Sequence, residues 1–298
     1  GVTTVVDAGS AGLETMNGFK KYIIQKSQTD VKALLNISSI GLASPSHIWE
    51  VEDIRFVDIK RTVEKFEEHN DVLVGIKIRI PQKVNRNLDS LNLALEAGDI
   101  LNKPIMLDNY DYPLIPDILE MLRPGDIMTH CFHGKKTGGI LSDDGKILPE
   151  IKNAVNRGIK FDVGHGSGSF DFDLVEKAFA QDFHPHTISS DIHQYNLDGP
   201  VYDFPTTLTK FLHLGLDIYD VIEKCTHAPS KILGLNAGSL KIGSTADVVV
   251  FDIKTGEYPL YGSVSFIDFN KTDSIGTKRI TDKMISPIQV IKNGKILQ

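Results

Sequence analysis

The sequence predicts an α/β protein of the parallel-barrel type, a (β/α)8 TIM-type barrel, with a small β-sandwich module at its C-terminus. Three observations predict it. Short apolar runs alternate with amphipathic stretches of helical period, the order that builds a parallel sheet with crossover helices. Four of these runs end on residues able to hold a metal or a proton: Lys77, His130, His165 and Asp191. The composition then changes after Leu235, where turn residues and alternating apolar residues replace the helical pattern. In a barrel the C-terminal strand ends share one mouth, so residues one or two βα units apart (~30 residues per unit) can contribute to one site.

The elements follow in order. Residues 2–6 form the first strand, and Gly9 and Gly12 mark the turn after it. Residues 13–26 read as a helix and 32–37 as a strand. Phe56, Ile59, Val63 and Phe66 recur at helical spacing with charged residues between them. Residues 72–78 are apolar nearly throughout, as a strand buried on both faces requires. Leu88, Leu91 and Leu95 mark a helix, 104–107 a strand, 115–122 a helix and 126–129 a strand. A helix over 148–156 stops at Gly158, and a strand follows over 159–163. Residues 172–180 are helical, 187–190 a strand, and 204–214 and 218–225 helices. Seven strands thus precede residue 192, and the eighth is expected upstream of Gly1. Beyond Leu235, residues 239–243 and 246–252 read as strand, turn, strand, and Asn293-Gly294 between apolar arms signals a hairpin. The expected domains are therefore residues 1–235, a hydrolase barrel, and residues 236–298, the β-sandwich.

The bulk properties narrow the function. With 298 residues and 41% hydrophobic residues, the chain suits one barrel plus a small appendage. A net charge of −7, with no basic stripe, argues against nucleic acid. No apolar run approaches the roughly 20 residues that span a bilayer. Two cysteines, Cys131 and Cys225, exclude a disulfide scaffold and fit a reducing, cytoplasmic location. A small-molecule substrate and a closed homo-oligomer are the expected partners.

Each strand-end residue carries two readings. Burial depresses a lysine pKa, so Lys77 can offer a neutral amine that takes up carbon dioxide as a carbamate, or it can snorkel or pair with an acid. Arg79 lies two residues on along the same face. His130 is a metal ligand or a satisfied core histidine. His133 reads as plain loop. His165 lies among Gly164, Gly166 and Gly168, which allow close approach of a ligand or a tight structural turn. Asp191 is a metal ligand and proton acceptor, or an N-cap. His193 stands nearby, while His184 and His186 precede their strand and belong to the opposite end. Cys131, on the opposite face from His130, makes no nucleophilic dyad with it.

Together these segments resemble the amidohydrolase superfamily, in its dihydroorotase-like amidohydrolase/deacetylase branch, some members of which are labelled adenine deaminase. The resemblance runs through Gly1-Val2-Thr3-Thr4-Val5-Val6-Asp7, Gly75-Ile76-Lys77-Ile78-Arg79, Thr129-His130-Cys131-Phe132-His133-Gly134, Asp162-Val163-Gly164-His165-Gly166, Ser190-Asp191-Ile192, and the tail from Ala228-Pro229 to Asp252. It implies a (β/α)8 barrel with a β-sandwich and one or two divalent metals, usually zinc, that activate a water against an amide, ester or ring carbon. On matching positions, Lys77 would be a bridging N-carboxylated lysine, His130 a ligand, and Asp191 ligand and general base. Arg79, His165 and His193 are candidates for substrate binding. Two departures stand out. No His-x-His pair sits on a first strand, and the strand-five histidine is replaced by Asp108, itself a possible oxygen ligand. The expected function is metal-dependent hydrolysis of an amide or ester of a small molecule, deacetylase-like. A nucleobase-type deaminase or cyclic amidohydrolase is the alternative within enzymes, and a non-catalytic small-molecule-binding barrel the alternative outside them.

Overall fold

Six parallel strands hydrogen-bond in the order in which the chain makes them: β1 (Thr4–Asp7), β2 (Asp30–Asn36), β3 (Leu73–Arg79), β4 (Ile105–Asp108), β5 (Ile127–Met128) and β6 (Lys160–Phe161). A doubly wound sheet reverses its strand order at a switch point. This one never does, which is the topology of a barrel. The computed structural model describes residues 1–43, 48–80, 88–109, 115–135, 138–263 and 276–297. The chain divides into two compact units, one made of Thr4–Thr129 and Asn153–Lys160, the other of Gly1–Thr3, His130–Lys152 and Phe161–Gln298.

The first unit holds β1 to β5 with the helices α1 (Met16–Tyr22), α2 (Ile59–Glu68), α3 (Asp89–Leu101) and α4 (Ile115–Met121). The chain reaches β6 through α5 (Pro149–Arg157) and Gly158, whose φ of +98° ends that helix, since glycine adopts left-handed backbone without a Cβ penalty. β3 is buried at every position but its last, as a parallel strand covered on both faces must be. Gly75 permits this packing, because a Cβ there would lie 2.6 Å from the Pro104 carbonyl oxygen. Asp126, 1% exposed, ties β4 to β5: its carboxylate accepts from the Ile105 amide and from the Arg123 guanidinium. The register places Asn36 beside Lys77 and Arg79 beside Asp108, so the chemistry-bearing residues of β2, β3 and β4 share the C-terminal end of the sheet.

The second unit holds α6 (Phe172–Phe179), α7 (Phe204–His213), α8 (Ile218–Cys225) and α9 (His227–Leu233), followed by the antiparallel strands β7 (Val248–Tyr261), β8 (Lys278–Lys292) and β9 (Lys295–Ile296). Phe132, Phe161, Phe170, Phe172 and Phe211 fill its core. The predicted strand over 187–190 runs parallel to 162–166: Val163, His165 and Gly166 donate their amides to Thr187, Ser189 and Ser190. α7 is tied to β8 by the Ile285 amide, which donates to Thr209 Oγ1 at 3.0 Å.

All seven predicted barrel strands are present, the last as a bridge with its hydrogen bonds. The Asn-Gly turn is there too, with φ of +50° at Asn293 and +74° at Gly294, the positive values a tight hairpin turn requires. One expectation about the tail is corrected. Residues 239–243 form no strand: Ser239 Oγ accepts the Lys241 amide, and Lys241 O accepts that of Ser244. Those local bonds compete with a ladder and leave Leu240 and Ile242 exposed. Residues 227–233, not predicted to be helical, form α9, which Gly234 ends at φ +66°. Among the described residues the C-terminal strands form a single three-stranded sheet.

Candidate active site

In the first unit Lys77 stands two residues before the end of β3 and is 7% exposed; its Nζ lies 3.9 Å from Asp108 Oδ2. The strand places the lysine there and the turn after β1 confines it. Gly9 adopts φ +90°, and a Cβ on it would sit 2.4 Å from the Lys77 Cβ. Asn36, 1% exposed, holds that turn by donating Nδ2–H to the Gly9 carbonyl at 3.0 Å. Asp7 closes it, accepting the amides of Gly9 and Ser10. Arg79, expected as a substrate contact, donates to Glu50 at 2.8 Å and lies over the Trp49 ring at 4.9 Å. Glu50 is 3% exposed, so the charge of Arg79 has a buried counter-charge.

In the second unit His130 is half-buried and Asp191 is exposed. Both hold left-handed backbone, φ +62° and +45° respectively. A side chain with a Cβ adopts that conformation at a cost, and such strain clusters at functional sites. His130 Nδ1–H donates to the Gly164 carbonyl at 2.7 Å. With that nitrogen protonated, the neutral ring's lone pair lies on Nε2. That is the tautomer of an imidazole set to bind a cation. Asp191 is placed from three directions. Its carboxylate lies against Gly166, where a Cβ would approach Oδ2 to 2.5 Å. Its carbonyl accepts Asn196 Nδ2–H at 3.0 Å, and Asn196 Oδ1 in turn accepts the His193 amide. Beneath it, the buried Asp162 carboxylate accepts from Thr187 Oγ1 and Ser189 Oγ at 2.6 and 2.7 Å, fixing the segment that leads to Asp191.

The remaining predicted residues differ in setting. His193 is half-buried; its Nε2 lies 3.5 Å from Ser167 Oγ, and its Nδ1 accepts the Tyr195 amide. His133 is 2% exposed and donates Nε2–H to the Gly138 carbonyl, a loop-holding role. His165 is fully buried and stacks on Phe170 at 4.5 Å. Its Nδ1–H donates to Gly166 O, and its Nε2 accepts from Lys210 Nζ at 2.7 Å, so the ring has no face turned to solvent. Burial and the neighbouring Lys210 hold its pKa well below the ordinary histidine range. Sequence reasoning missed Asn36, Glu50, Asp162, Asn196 and Lys210. Lys210 had one local signal: it interrupts the apolar run Leu208-Thr209-Lys210-Phe211-Leu212.

Sequential parallel strands with ionisable groups beyond their C-terminal ends define a barrel-type enzyme. The comparisons narrow the class. Residues 171–297 match the Amidohydrolase family. A deacetylase of Brucella anthropi is 34% identical over 291 residues, 96% of this chain and 69% of that protein. A deacetylase of Agrobacterium fabrum is 36% identical over 257 residues, 85% of this chain and 63% of that protein. A crystal structure of an adenine deaminase matches with a TM-score of 0.91 at 34% identity, covering 100% of this chain and 78% of that one. A dihydroorotase structure matches at 0.86 and 32%, covering 99% and 76%. The chain belongs to the amidohydrolase family. It is thus an enzyme of a hydrolase family acting on C–N bonds, whose members are typically metal-dependent.

The donor chemistry fits a divalent metal, since imidazole nitrogen and carboxylate oxygen are both zinc ligands. Among the described residues no group of three or more His, Cys, Asp and Glu side chains is arranged to hold an ion.

Proposed function

We propose that this enzyme is a metal-dependent deacetylase, hydrolysing the acetyl amide or ester of a small molecule. The observation that carries the reading is that two accessible side chains, His130 and Asp191, each stand on left-handed backbone, one with its Nδ1–H committed to a carbonyl and the other pressed against a glycine. The candidate metal ligands are Lys77, as its N-carboxylated form, and Asp108 in the first unit, and His130 and Asp191 in the second, for one or two ions, zinc by family habit. When bound, the metal acidifies a water towards neutral pH and polarises the acyl oxygen. Asp191 accepts the proton of the attacking water and delivers it to the departing amine or alkoxide. Gly166 abuts its carboxylate and Asn196 holds its backbone carbonyl. His193, beside Ser167, is the substrate contact on the same loop.

The names of the relatives support the acetyl group, and the adenine deaminase and dihydroorotase structures support the ring substrates as the competing reading. Products decide between them. Incubation of the zinc-loaded protein with acetylated amines and esters, and with aminopurines, should release acetate and no ammonia. Ammonia from a purine with no acetate from any ester or amide overturns the deacetylase reading. Asp191→Asn should lower kcat by at least about 1000-fold, the scale of a lost general base together with its electrostatic contribution, while the circular dichroism spectrum and thermal midpoint stay put. Full activity in the variant removes Asp191 from the mechanism.

A further inference from the structure

Lys210 lies in the last turn of α7 and is wholly buried. Among the described residues its Nζ donates to His165 Nε2 at 2.7 Å and to the Pro200 carbonyl at 2.8 Å, and lies 5.7 Å from the Phe170 ring. None of these partners is a carboxylate. Burying an amine costs free energy that an aliphatic side chain of the same length does not incur. Here burial lowers its pKa to about 7, against a small opposing effect of the Asp203 carboxylate. Such a group is retained where its hydrogen bonds do something packing alone cannot.

What Lys210 holds is the ring of His165, and His165 is the middle residue of the turn at 164–166. That turn has a catalytic candidate on each flank. Gly164 accepts from His130 Nδ1–H at 2.7 Å, and Gly166 abuts the Asp191 carboxylate. His165 itself is immobilised from both ends: Nδ1–H to Gly166 O at 2.9 Å, Nε2 to Lys210, and its face on Phe170. We infer that Lys210 is a positioning residue which, through His165, locks the 164–166 turn and so sets both the His130 ring and the Asp191 carboxylate. The inference rests on reading those two residues as catalytic. Lys210 acts on them through the turn alone.

Lys210→Met keeps the length and removes the donor; His165→Gln removes the ring and keeps a polar end. Two measurements are made on each full-length variant. Steady-state kinetics on the acetylated substrate turned over by the parent should show kcat reduced about 10- to 100-fold, the scale of a misplacement near ~1 Å, with KM within about twofold. Nitrogen-15 histidine spectra, recorded without substrate, should show the His130 ring losing its single Nδ1–H tautomer. A purely structural core pair would lower the thermal midpoint and leave both readouts where they are, and that result overturns the inference. If Lys210→Met does not fold, the same two readouts on His165→Gln decide, with unchanged kcat and an unchanged His130 signal overturning it. If the parent hydrolyses no acetylated substrate, the deacetylase reading fails by itself, and the His130 tautomer still tests the coupling.

Discussion

Gly166→Ala separates the position of a carboxylate from the stability of the fold. Gly166 has φ +53°, and an added Cβ would lie 2.5 Å from Asp191 Oδ2. Two costs follow. The backbone cost is that of a side chain in left-handed conformation, roughly 1–2 kcal/mol. The steric cost falls on the far end of a flexible side chain, which moves aside cheaply. Restoring an ordinary contact of ~3.5 Å requires the Asp191 oxygen to retreat by about 1 Å. A displacement of that size costs about 100-fold in turnover, equivalent to ~2.7 kcal/mol of barrier. Denaturant midpoints measure the first quantity and initial rates, taken far below the unfolding transition, the second. Gly215→Ala supplies the control: it has φ +98° and no atom within 4 Å of its added Cβ. It should lose similar stability and retain full activity. Activity in Gly166→Ala within about threefold of the parent, or an equal loss in Gly215→Ala, refutes the claim that Gly166 sets the carboxylate.

Two further outcomes follow from other packing sites. Gly9→Ala brings its Cβ to 2.4 Å from the Lys77 Cβ at φ +90°, and a Cβ cannot rotate away. The backbone must shift, so stability should fall by roughly 2–4 kcal/mol in urea titrations; an unchanged midpoint would show that the β1 turn does not confine Lys77. The second concerns pH. Below about pH 7 Lys210 is charged in both the folded and the unfolded chain, and the folded state carries the full desolvation cost. Between about 7 and the ordinary lysine value of 10.5 only the unfolded chain keeps the proton, so stability rises with pH across that window. Lys210→Met should therefore gain most, relative to the parent, at pH 7 and below. The difference should shrink towards pH 10.5, with a ceiling of roughly 5 kcal/mol at ~1.4 kcal/mol per pH unit. A flat difference from about pH 6 to about pH 10 contradicts the burial argument.

The fold is legible because its signals are local. An apolar run between turn residues marks a buried strand wherever it stands, so even the weakly paired segment at 187–190 is readable. The strand-end residues are legible for the same reason. Their settings are not. His130 and His165 look alike in sequence: each follows an apolar run. One is half-buried with a carbonyl on Nδ1, while the other is fully buried with a lysine on Nε2. The difference comes from Lys210, 45 positions along the chain. The partner of Arg79 is hidden in the same way, since Glu50 answers it from 29 positions earlier. Hydrophobic period reports which face is buried; it carries no information about which polar partner waits there.

The same distinction explains why strain gathers where it does. Leu88, Asn102, His130, Asp182, Asp191, Tyr202 and Asn293 are the described non-glycine residues at positive φ. Asn102 and Asn293 sit at a helix end and a hairpin, where asparagine is tolerated. His130 and Asp191 terminate nothing that glycine would not terminate better. A β-strand that ran on with extended backbone would alternate their side chains along the pleat. The left-handed residue breaks that alternation and re-aims the side chain, at roughly 1–2 kcal/mol each. The surrounding hydrogen bonds, Gly164 O on one and Asn196 on the other, hold the broken geometry in place. His130→Gly or Asp191→Gly would relieve the backbone and delete the only part of the residue that the strain serves to direct. The proposed use of both side chains, as ligand and as base, gives the histidine and the aspartate at these two positions a reason that backbone geometry alone does not supply.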